Sequence, residues 1–188
     1  MMKEKLIRQI EAYIPFNEQE AADQVTFLNL LREDTDITRR DNLLYHLTAS
    51  AWVVNPERDK VLMAYHNLYN SWAWLGGHAD GTYDLAAVAE REAQEESGLT
   101  QVRLVSPEIL SLEILTVDGH EKKGKYVPCH LHLNVTYLLE ADPNAPLRIK
   151  EDENSQVGWI GFDDIGSKST EPWFVERIYS KLCIKSRE

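Results

Sequence analysis

Residues 76–99 read GGHADGTYDLAAVAEREAQEESGL and connect a predicted strand to a predicted helix. Aromatic and apolar residues over 71–75 favour the strand, and the adjacent pair Gly76-Gly77 predicts a loop. We predict a helix from about Asp84 to Ser97, because Gly98 is suited to the left-handed conformation in which many helices end. The segment therefore predicts a strand–loop–helix unit.

Three carboxylates lie on one face of this predicted helix. Glu92, Glu95 and Glu96 stand at positions i, i+3 and i+4, which are neighbours on a helix surface. Like charges at these spacings destabilise a helix by roughly 0.2–0.5 kcal/mol per pair. Mg²⁺ would remove this repulsion, since it binds oxygen ligands and leaves positions for phosphate oxygens. A solvated acidic face is the alternative interpretation.

The spacing of the segment resembles a known motif, the Nudix box, whose pattern is G-x5-E-x7-R-E-U-x-E-E-x-G-U with U aliphatic. The corresponding residues here are Gly77-x5-Tyr83-x7-Arg91-Glu92-Ala93-x-Glu95-Glu96-x-Gly98-Leu99. Each fixed position matches except Tyr83, which replaces the first glutamate of the box. Because so many positions are fixed, this resemblance is far more specific than a lone glycine motif.

The fold is predicted from the strands and helices on either side of the box. Strands interrupted by helices predict an α+β arrangement, a mixed β-sheet flanked by helices. The resemblance implies the Nudix α/β/α sandwich over roughly residues 44–182. We therefore divide the chain into a helical N-terminal extension, 1–44, and a Nudix domain, 45–188, which together form one compact unit.

The resemblance also implies an activity, that of a metal-dependent hydrolase acting on a nucleoside diphosphate linked to another moiety. Transferred position by position, it makes Glu92, Glu95 and Glu96 the ligands of Mg²⁺, with Mn²⁺ as a substitute. Gly77 would add a backbone carbonyl, and Arg91 would orient one of the glutamates. The bond cleaved would be an acid anhydride, the pyrophosphate.

The departure at Tyr83 raises the question of what pairs with Arg91, because a tyrosine is not an anion at neutral pH. The neighbouring Asp84 is one candidate partner. The alternative, which we favour, is that Asp84 is the N-cap of the helix, a role that aspartate fills well. The three predicted metal ligands are unaffected by the departure.

The general base is predicted less directly. Proteins that this chain resembles use either a glutamate of the box or an acidic residue in a distant loop. The acidic run 151–153 precedes the last predicted strand, and Glu153 is our candidate. An ordinary solvated loop is the alternative interpretation of this run.

Two histidines share a face of the strand predicted over 129–139, because His130 and His132 are two residues apart. They are candidates for phosphate contact, and His46 is a candidate to join them. Zinc is disfavoured, since no third ligand is evident at close spacing. A polar strand face turned to solvent is the alternative. Trp74 and His78, beside the glycines, are further candidates for substrate contact.

Composition limits the classes of partner. The 188 residues include 31 acidic and 20 basic side chains, giving a formal charge of −11. Such acidity disfavours a nucleic-acid polymer, whereas a small phosphorylated substrate fits a site whose charge a metal reverses. The charged N-terminus and the lack of an apolar run of roughly 20 residues predict a cytoplasmic protein without membrane association. The N-terminal helices are candidates for a homodimer interface.

Two other functions remain open at this point. A non-catalytic nucleotide-sensing module of the same fold is the first, and the loss of one box glutamate is what such a module would show. An isopentenyl-diphosphate isomerase is the second and ranks lower. That enzyme needs a cysteine just before the box glycines, whereas this chain has Trp72-Ala73-Trp74-Leu75 there.

Overall fold

The computed structural model describes residues 2–122, 124–151 and 154–188. The strands are β1 (Tyr45–Val54), β2 (Lys60–His66), β3 (Ser71–Ala73), β4 (Leu75–His78), β5 (Arg103–Leu104), β6 (Ser111–Val117), β7 (His120–Lys122), β8 (Lys125–Val127), β9 (His130–Glu140) and β10 (Asn154–Gly161). The first three helices are α1 (Met2–Ala12), α2 (Glu18–Arg32) and α3 (Leu85–Ser97). No helix in these described ranges combines the length and the apolar character that crossing a membrane requires.

The C-terminal part of the chain is helical. A 3₁₀ turn, Phe162–Asp164, leads into α4 (Ile165–Lys168). The C-terminal helical segment, residues 172–185, then consists of α5 (Pro172–Phe174), a π-helical stretch (Val175–Tyr179) and α6 (Ser180–Lys185).

Eight of the strands form one mixed sheet, and β7 and β8 form a separate hairpin. The central pair of the eight-stranded sheet, β1 and β9, is parallel over ten residues, from Tyr45 beside Leu131 to Val54 beside Glu140. The remaining pairings in the sheet are antiparallel. Helices cover both faces, so the predicted mixed sheet flanked by helices is confirmed.

The box glycines lie in strand β4, so the predicted loop at Gly76-Gly77 is wrong. Strand β4 pairs with β1, and β3 pairs with β2. Strands β1 and β2 themselves pair only where Val54 meets Val61. A Cβ atom on Gly76 would lie 2.6 Å from the Ala49 carbonyl oxygen. Glycine serves here to let two backbones approach closely, rather than to turn the chain.

Helix α3 begins and ends as the sequence predicts. The Asp84 carboxylate accepts a hydrogen bond of 3.4 Å from the Ala87 N–H, and Gly98 adopts φ of 72°. The apolar side of the helix packs into the core through Leu85, Val88, Ala89 and Ala93. This packing fixes the carboxylate side of the helix against the sheet.

The N-terminal helices contribute to the same core as the sheet. Leu6 and Ile10 of α1 and Phe27 and Leu31 of α2 are buried in it. On the other side of the sheet, the C-terminal helical segment covers a second apolar cluster that includes Trp52, Met63, Ile178 and Leu182. The boundary near residue 44 stays a prediction.

A buried ion cluster joins the two ends of the chain. The Lys181 ammonium lies 2.7 Å from a carboxylate oxygen of Glu20 and 2.8 Å from one of Glu113. The Ser111 hydroxyl lies within hydrogen-bond distance of both carboxylates, and its one proton is donated to one of them at a time. Burial raises the pKa of Glu113, whereas the Lys181 ammonium and a hydrogen bond from the Phe16 N–H outweigh burial and hold the pKa of Glu20 below its ordinary value. The cluster connects α2, β6 and α6.

Candidate active site

A cavity of about 1000 Å³ opens beside helix α3. Strands β1, β4 and β9 form its floor and one wall, and the C-terminal helical segment contributes Phe174 and Tyr179 to another wall. The three box glutamates and the predicted substrate contacts all line it, namely Glu92, Glu95, Glu96, Trp74, His78, His130 and His132. The structure thus brings together groups that are up to 58 positions apart in the sequence.

Two of the box glutamates are buried directly beneath the glycines. Glu92 is 8% exposed and Glu96 is 6% exposed. A Cβ atom on Gly77 would lie 2.3 Å from the carboxyl carbon of Glu92, and the Gly76 N–H donates to Glu96 Oε2 at 3.2 Å. The absence of side chains at both glycines is therefore what lets the carboxylates lie against β4.

Arg91 lies against the carboxylates, and its role in orienting one of them stays a prediction. Its Nη2 donates to Glu92 Oε1 at 2.8 Å and to the His78 carbonyl oxygen at 3.3 Å. Its Nε lies 3.8 Å from Glu95 Oε1. Glu95 is the more exposed carboxylate, and Lys150 lies 3.6 Å from its second oxygen. These contacts place the Arg91 guanidinium beside both Glu92 and Glu95.

The structure also shows what replaces the missing box glutamate. Tyr83 is partly buried and packs against the core, and burial raises the pKa of its hydroxyl. Asp84 caps α3, which confirms the N-cap interpretation. Arg91 therefore takes its partners from Glu92, Glu95 and a backbone carbonyl instead.

Four histidine rings cluster beside the carboxylates. The ring centroids of His46, His130 and His132 are 4.8–5.0 Å apart, and His78 lies 5.0 Å from both His46 and His132. The alternative of a strand face turned to solvent is wrong for His130, which is 9% exposed. Burial, with smaller effects from the neighbouring histidines, lowers the pKa of His132 to about 2, so its imidazole is neutral near pH 7.

Polar residues that the sequence analysis did not single out form the floor. The Asn134 side-chain oxygen accepts hydrogen bonds of 3.0 Å from both Thr48 and Ser50, and its amide donates to Glu113 at 3.3 Å. The alternation of polar and apolar residues along β1 and β9 indicates this polar face. Glu171 also lines the cavity, and burial raises the pKa of its carboxyl.

Trp74 lies on the cavity wall, where its ring makes edge contacts with Tyr179 at 5.6 Å and with Phe174 at 6.2 Å between centroids. Its role in substrate contact stays a prediction. The candidate base Glu153 lies outside the described residues. Its described neighbours Lys150 and Asn154 contact α3, the latter by donating to the Glu96 carbonyl oxygen at 3.4 Å.

The comparison with protein families gives one match, in which a model of the NUDIX domain covers residues 44–182. The chain belongs to the Nudix family. Most of the chain is included in the match, and only α1, α2 and the connection to β1 precede it. A comparison with curated proteins found no match.

Solved structures resemble this Nudix chain in fold. A MutT protein from Methanosarcina mazei Go1 is 16% identical with a TM-score of 0.50, covering 77% of this chain and 97% of its own. A NUDIX-family hydrolase from Clostridium perfringens is 20% identical with a TM-score of 0.49, covering 74% and 97%. An Ap4A hydrolase from C. elegans is 17% identical with a TM-score of 0.48, covering 74% and 93%.

The contact between Gly77 and Glu92 leads to a testable prediction. We expect Gly77→Ala to displace the Glu92 carboxylate and to lower any metal-dependent hydrolysis by the chain at least about tenfold, because small misplacements in a site reduce rates strongly. Gly158→Ala is the matched control, since its Cβ would meet Trp72 at 3.8 Å, an ordinary contact. Initial rates and thermal unfolding of both variants check the prediction. Equal rates in the two variants would contradict it.

Proposed function

We propose that this Nudix protein is a divalent-metal-dependent hydrolase that cleaves the pyrophosphate of a nucleoside diphosphate linked to another moiety. The observation that supports this most is the convergence of Glu92, Glu95 and Glu96 on one cavity wall, with Glu92 and Glu96 buried under Gly77 and Gly76. Burying ionised carboxylates is costly unless a cation compensates them. The cavity beside them is large enough for a nucleotide-sized ligand.

The donor set fits Mg²⁺, with Mn²⁺ as a substitute. Three carboxylates supply hard oxygen ligands, while Arg91 and Lys150 offset part of their charge. In the proposal, Glu92, Glu95, Glu96 and the carbonyl of Gly77 hold the metal. When bound, it would stabilise negative charge on the phosphoryl oxygens.

The remaining roles belong to side chains of the protein itself. Arg91 orients Glu92 through their 2.8 Å hydrogen bond. A general base removes a proton from the attacking water as the water oxygen bonds to phosphorus and the bridging P–O bond breaks. Glu153 stays our candidate for that base. Trp74, His78, His130 and His132 are proposed to contact the substrate, a small phosphorylated nucleotide derivative.

A panel of pyrophosphate compounds, incubated with the full chain and Mg²⁺, tests the proposal. We expect at least one nucleoside diphosphate derivative to yield two phosphate-containing products, identified by mass, and the reaction to stop when the metal is chelated. Mass spectra in H₂¹⁸O would show which phosphorus the water attacks. If no compound on a broad panel is cleaved while Mg²⁺ is bound, the hydrolase proposal is wrong.

The substitution at Tyr83 favours one other function, a non-catalytic nucleotide-sensing module. Such a module would bind compounds from the same panel without cleaving them, so binding measured by calorimetry alongside the product assay separates the two. The intact carboxylate triplet supports the hydrolase over the sensor. A homodimer and a cytoplasmic location remain predictions.

A further inference from the structure

The pairing of β1 with β9 places three histidine side chains together. His46 is the parallel partner of His132, and His130 precedes His132 by two residues on the same strand. One ligand nitrogen from each ring lies within 4.8 Å of the others. His130 Nε2 and His132 Nε2 are 3.2 Å apart. Here the two nitrogens share a hydrogen bond, and a Zn²⁺ ion in place of its proton would hold them about 3.3–3.4 Å apart, the separation expected for tetrahedral bonds of about 2.0–2.1 Å.

Backbone carbonyls fix the tautomers of two of these rings. His46 Nδ1 lies 3.1 Å from the Asn42 carbonyl oxygen, and His130 Nδ1 lies 2.8 Å from that of Pro128. A carbonyl only accepts hydrogen bonds, so each Nδ1 carries the proton and each Nε2 keeps a lone pair. An Nδ1–H bonded to a carbonyl is the usual outer support of a histidine that binds metal through Nε2.

The Nε2 atom of His46 is the most informative atom of the cluster. It is buried, and the described part of the chain offers it no hydrogen-bond partner. Leaving a buried polar atom without a hydrogen bond is costly, so native structures rarely tolerate one without a function or a ligand. Its ring lies within 5.0 Å of the rings of His130 and His132.

We propose that His46, His130 and His132 form a binding site for a late transition-metal ion of the Zn²⁺ class, separate from the carboxylate site. Three imidazole nitrogens suit Zn²⁺ and disfavour Mg²⁺, which prefers oxygen ligands. Three protein ligands also leave a fourth position for water or a phosphate oxygen. His78 lies beside the three ligands, 5.0 Å from His46 and His132 between ring centroids.

The two sites share one cavity but differ in chemistry. His78 directly follows Gly77, whose Cα faces Glu92, and its carbonyl oxygen accepts from Arg91. The nearby charged side chains Arg40 and Asp80 form a two-bond ion pair at 2.8 and 3.0 Å, so they largely offset each other. The proposed histidine site therefore depends on its imidazoles rather than on the three box carboxylates, and its test does not require hydrolysis.

Zinc binding by the metal-stripped full chain tests this site. We expect one equivalent of Zn²⁺ to compete with a chromogenic chelator, to raise the thermal unfolding temperature, and to be surrounded by nitrogen at about 2.0–2.1 Å in X-ray absorption spectra. Co²⁺ in its place would give the visible absorption bands of a tetrahedral ion. Mg²⁺ in excess is expected to leave the Zn²⁺ bound.

Variants separate the histidine site from the carboxylates. We expect His46→Gln to weaken Zn²⁺ binding by more than about a hundredfold, since loss of an outer support alone costs 10–100-fold. His132→Gln is a second variant that tests the same site if His46→Gln does not fold. Circular dichroism shows whether each variant is folded. His120→Gln serves as the matched control, because His120 Nδ1 also lies by a carbonyl oxygen, that of Asp118 at 2.9 Å, outside the cluster. Glu96→Gln is expected to retain Zn²⁺.

Two outcomes would overturn the proposal. One is a wild-type chain whose Zn²⁺ affinity equals that of folded His46→Gln. The other is Zn²⁺ binding that survives both histidine variants but is lost in Glu96→Gln, which would assign the ion to the carboxylates.

Discussion

Glu96→Gln is expected to reduce pyrophosphate hydrolysis about a thousandfold with little change in the fold. Glutamine keeps the length of the side chain and still offers an oxygen to the Gly76 N–H, which donates to Glu96 at 3.2 Å. What it removes is one negative charge from the proposed magnesium site. A bound metal supplies several kcal/mol of transition-state stabilisation, and each ~1.4 kcal/mol changes a rate tenfold.

The measurement is the initial rate on the best substrate of the panel across a range of Mg²⁺ concentrations. We expect the midpoint of the Mg²⁺ dependence to rise and the maximal rate to fall. Glu90→Gln is the matched control, since it makes the same chemical change on the same helix and Glu90 is not among the cavity residues. Turnover in Glu96→Gln within about threefold of the Glu90→Gln rate would show that Glu96 is not a metal ligand.

The carboxylates of the site could be predicted because their arrangement is local. Positions i, i+3 and i+4 share a face of any helix, so placing Glu92, Glu95 and Glu96 together requires only that α3 forms. The ends of that helix were equally local, since Asp84 and Gly98 act through their own backbone neighbours. Both features could be predicted without knowledge of the tertiary structure, and the structure confirms that the helix forms with these ends.

The histidine cluster could be predicted only in part, because it depends on a distant strand pairing. His130 and His132 share a face by the two-residue period of a strand. Placing His46 beside them requires the parallel register of β1 on β9, which joins positions 86 residues apart. A shift of one residue would turn His46 to the opposite face, and nothing local in the sequence specifies that register.

The error at Gly76-Gly77 has a similar origin. Glycine pairs favour loops by their backbone freedom, whereas here tertiary packing decides. The Ala49 carbonyl leaves no room for a Cβ atom on Gly76, and the Glu92 carboxylate leaves none on Gly77. The local preference and the packing requirement select the same residue for opposite reasons, so the sequence alone does not distinguish them.

The ion cluster around Lys181 was not predicted, because its members come from three distant elements. Lys181 lies in the short helix α6, and Glu20 is a residue of the first turn of α2, so neither has a neighbour in the sequence that marks it as part of a cluster. Both are almost fully buried, at 2% and 0% exposure. A buried ion is tolerated only when it is paired and hydrogen-bonded, so these residues depend on each other and on Glu113.

Lys181→Met is therefore expected to destabilise the folded chain by ~3–5 kcal/mol, the usual cost of breaking a buried ion pair from one side. Methionine fills much of the space of lysine but leaves Glu20 and Glu113 buried without their cation. In urea, where small proteins lose about 1–3 kcal/mol of stability per molar, the midpoint should fall by roughly 2 M. Equilibrium unfolding followed by tryptophan fluorescence and circular dichroism measures it.

Two further variants show whether burial and charge cause this effect. Arg177→Ala also removes a cation between the C-terminal helical segment and α2, but its pair with Glu18, at 3.0 Å, is exposed. Exposed pairs contribute little, so its urea midpoint should stay near that of the wild type. The triple variant Lys181→Met, Glu20→Gln, Glu113→Gln removes all three charges and should recover much of the lost stability, because no uncompensated buried charge remains. If Lys181→Met alone unfolds at the wild-type midpoint, the cluster adds no net stability, and the N-terminal helices are held by Leu6, Ile10, Phe27 and Leu31 instead.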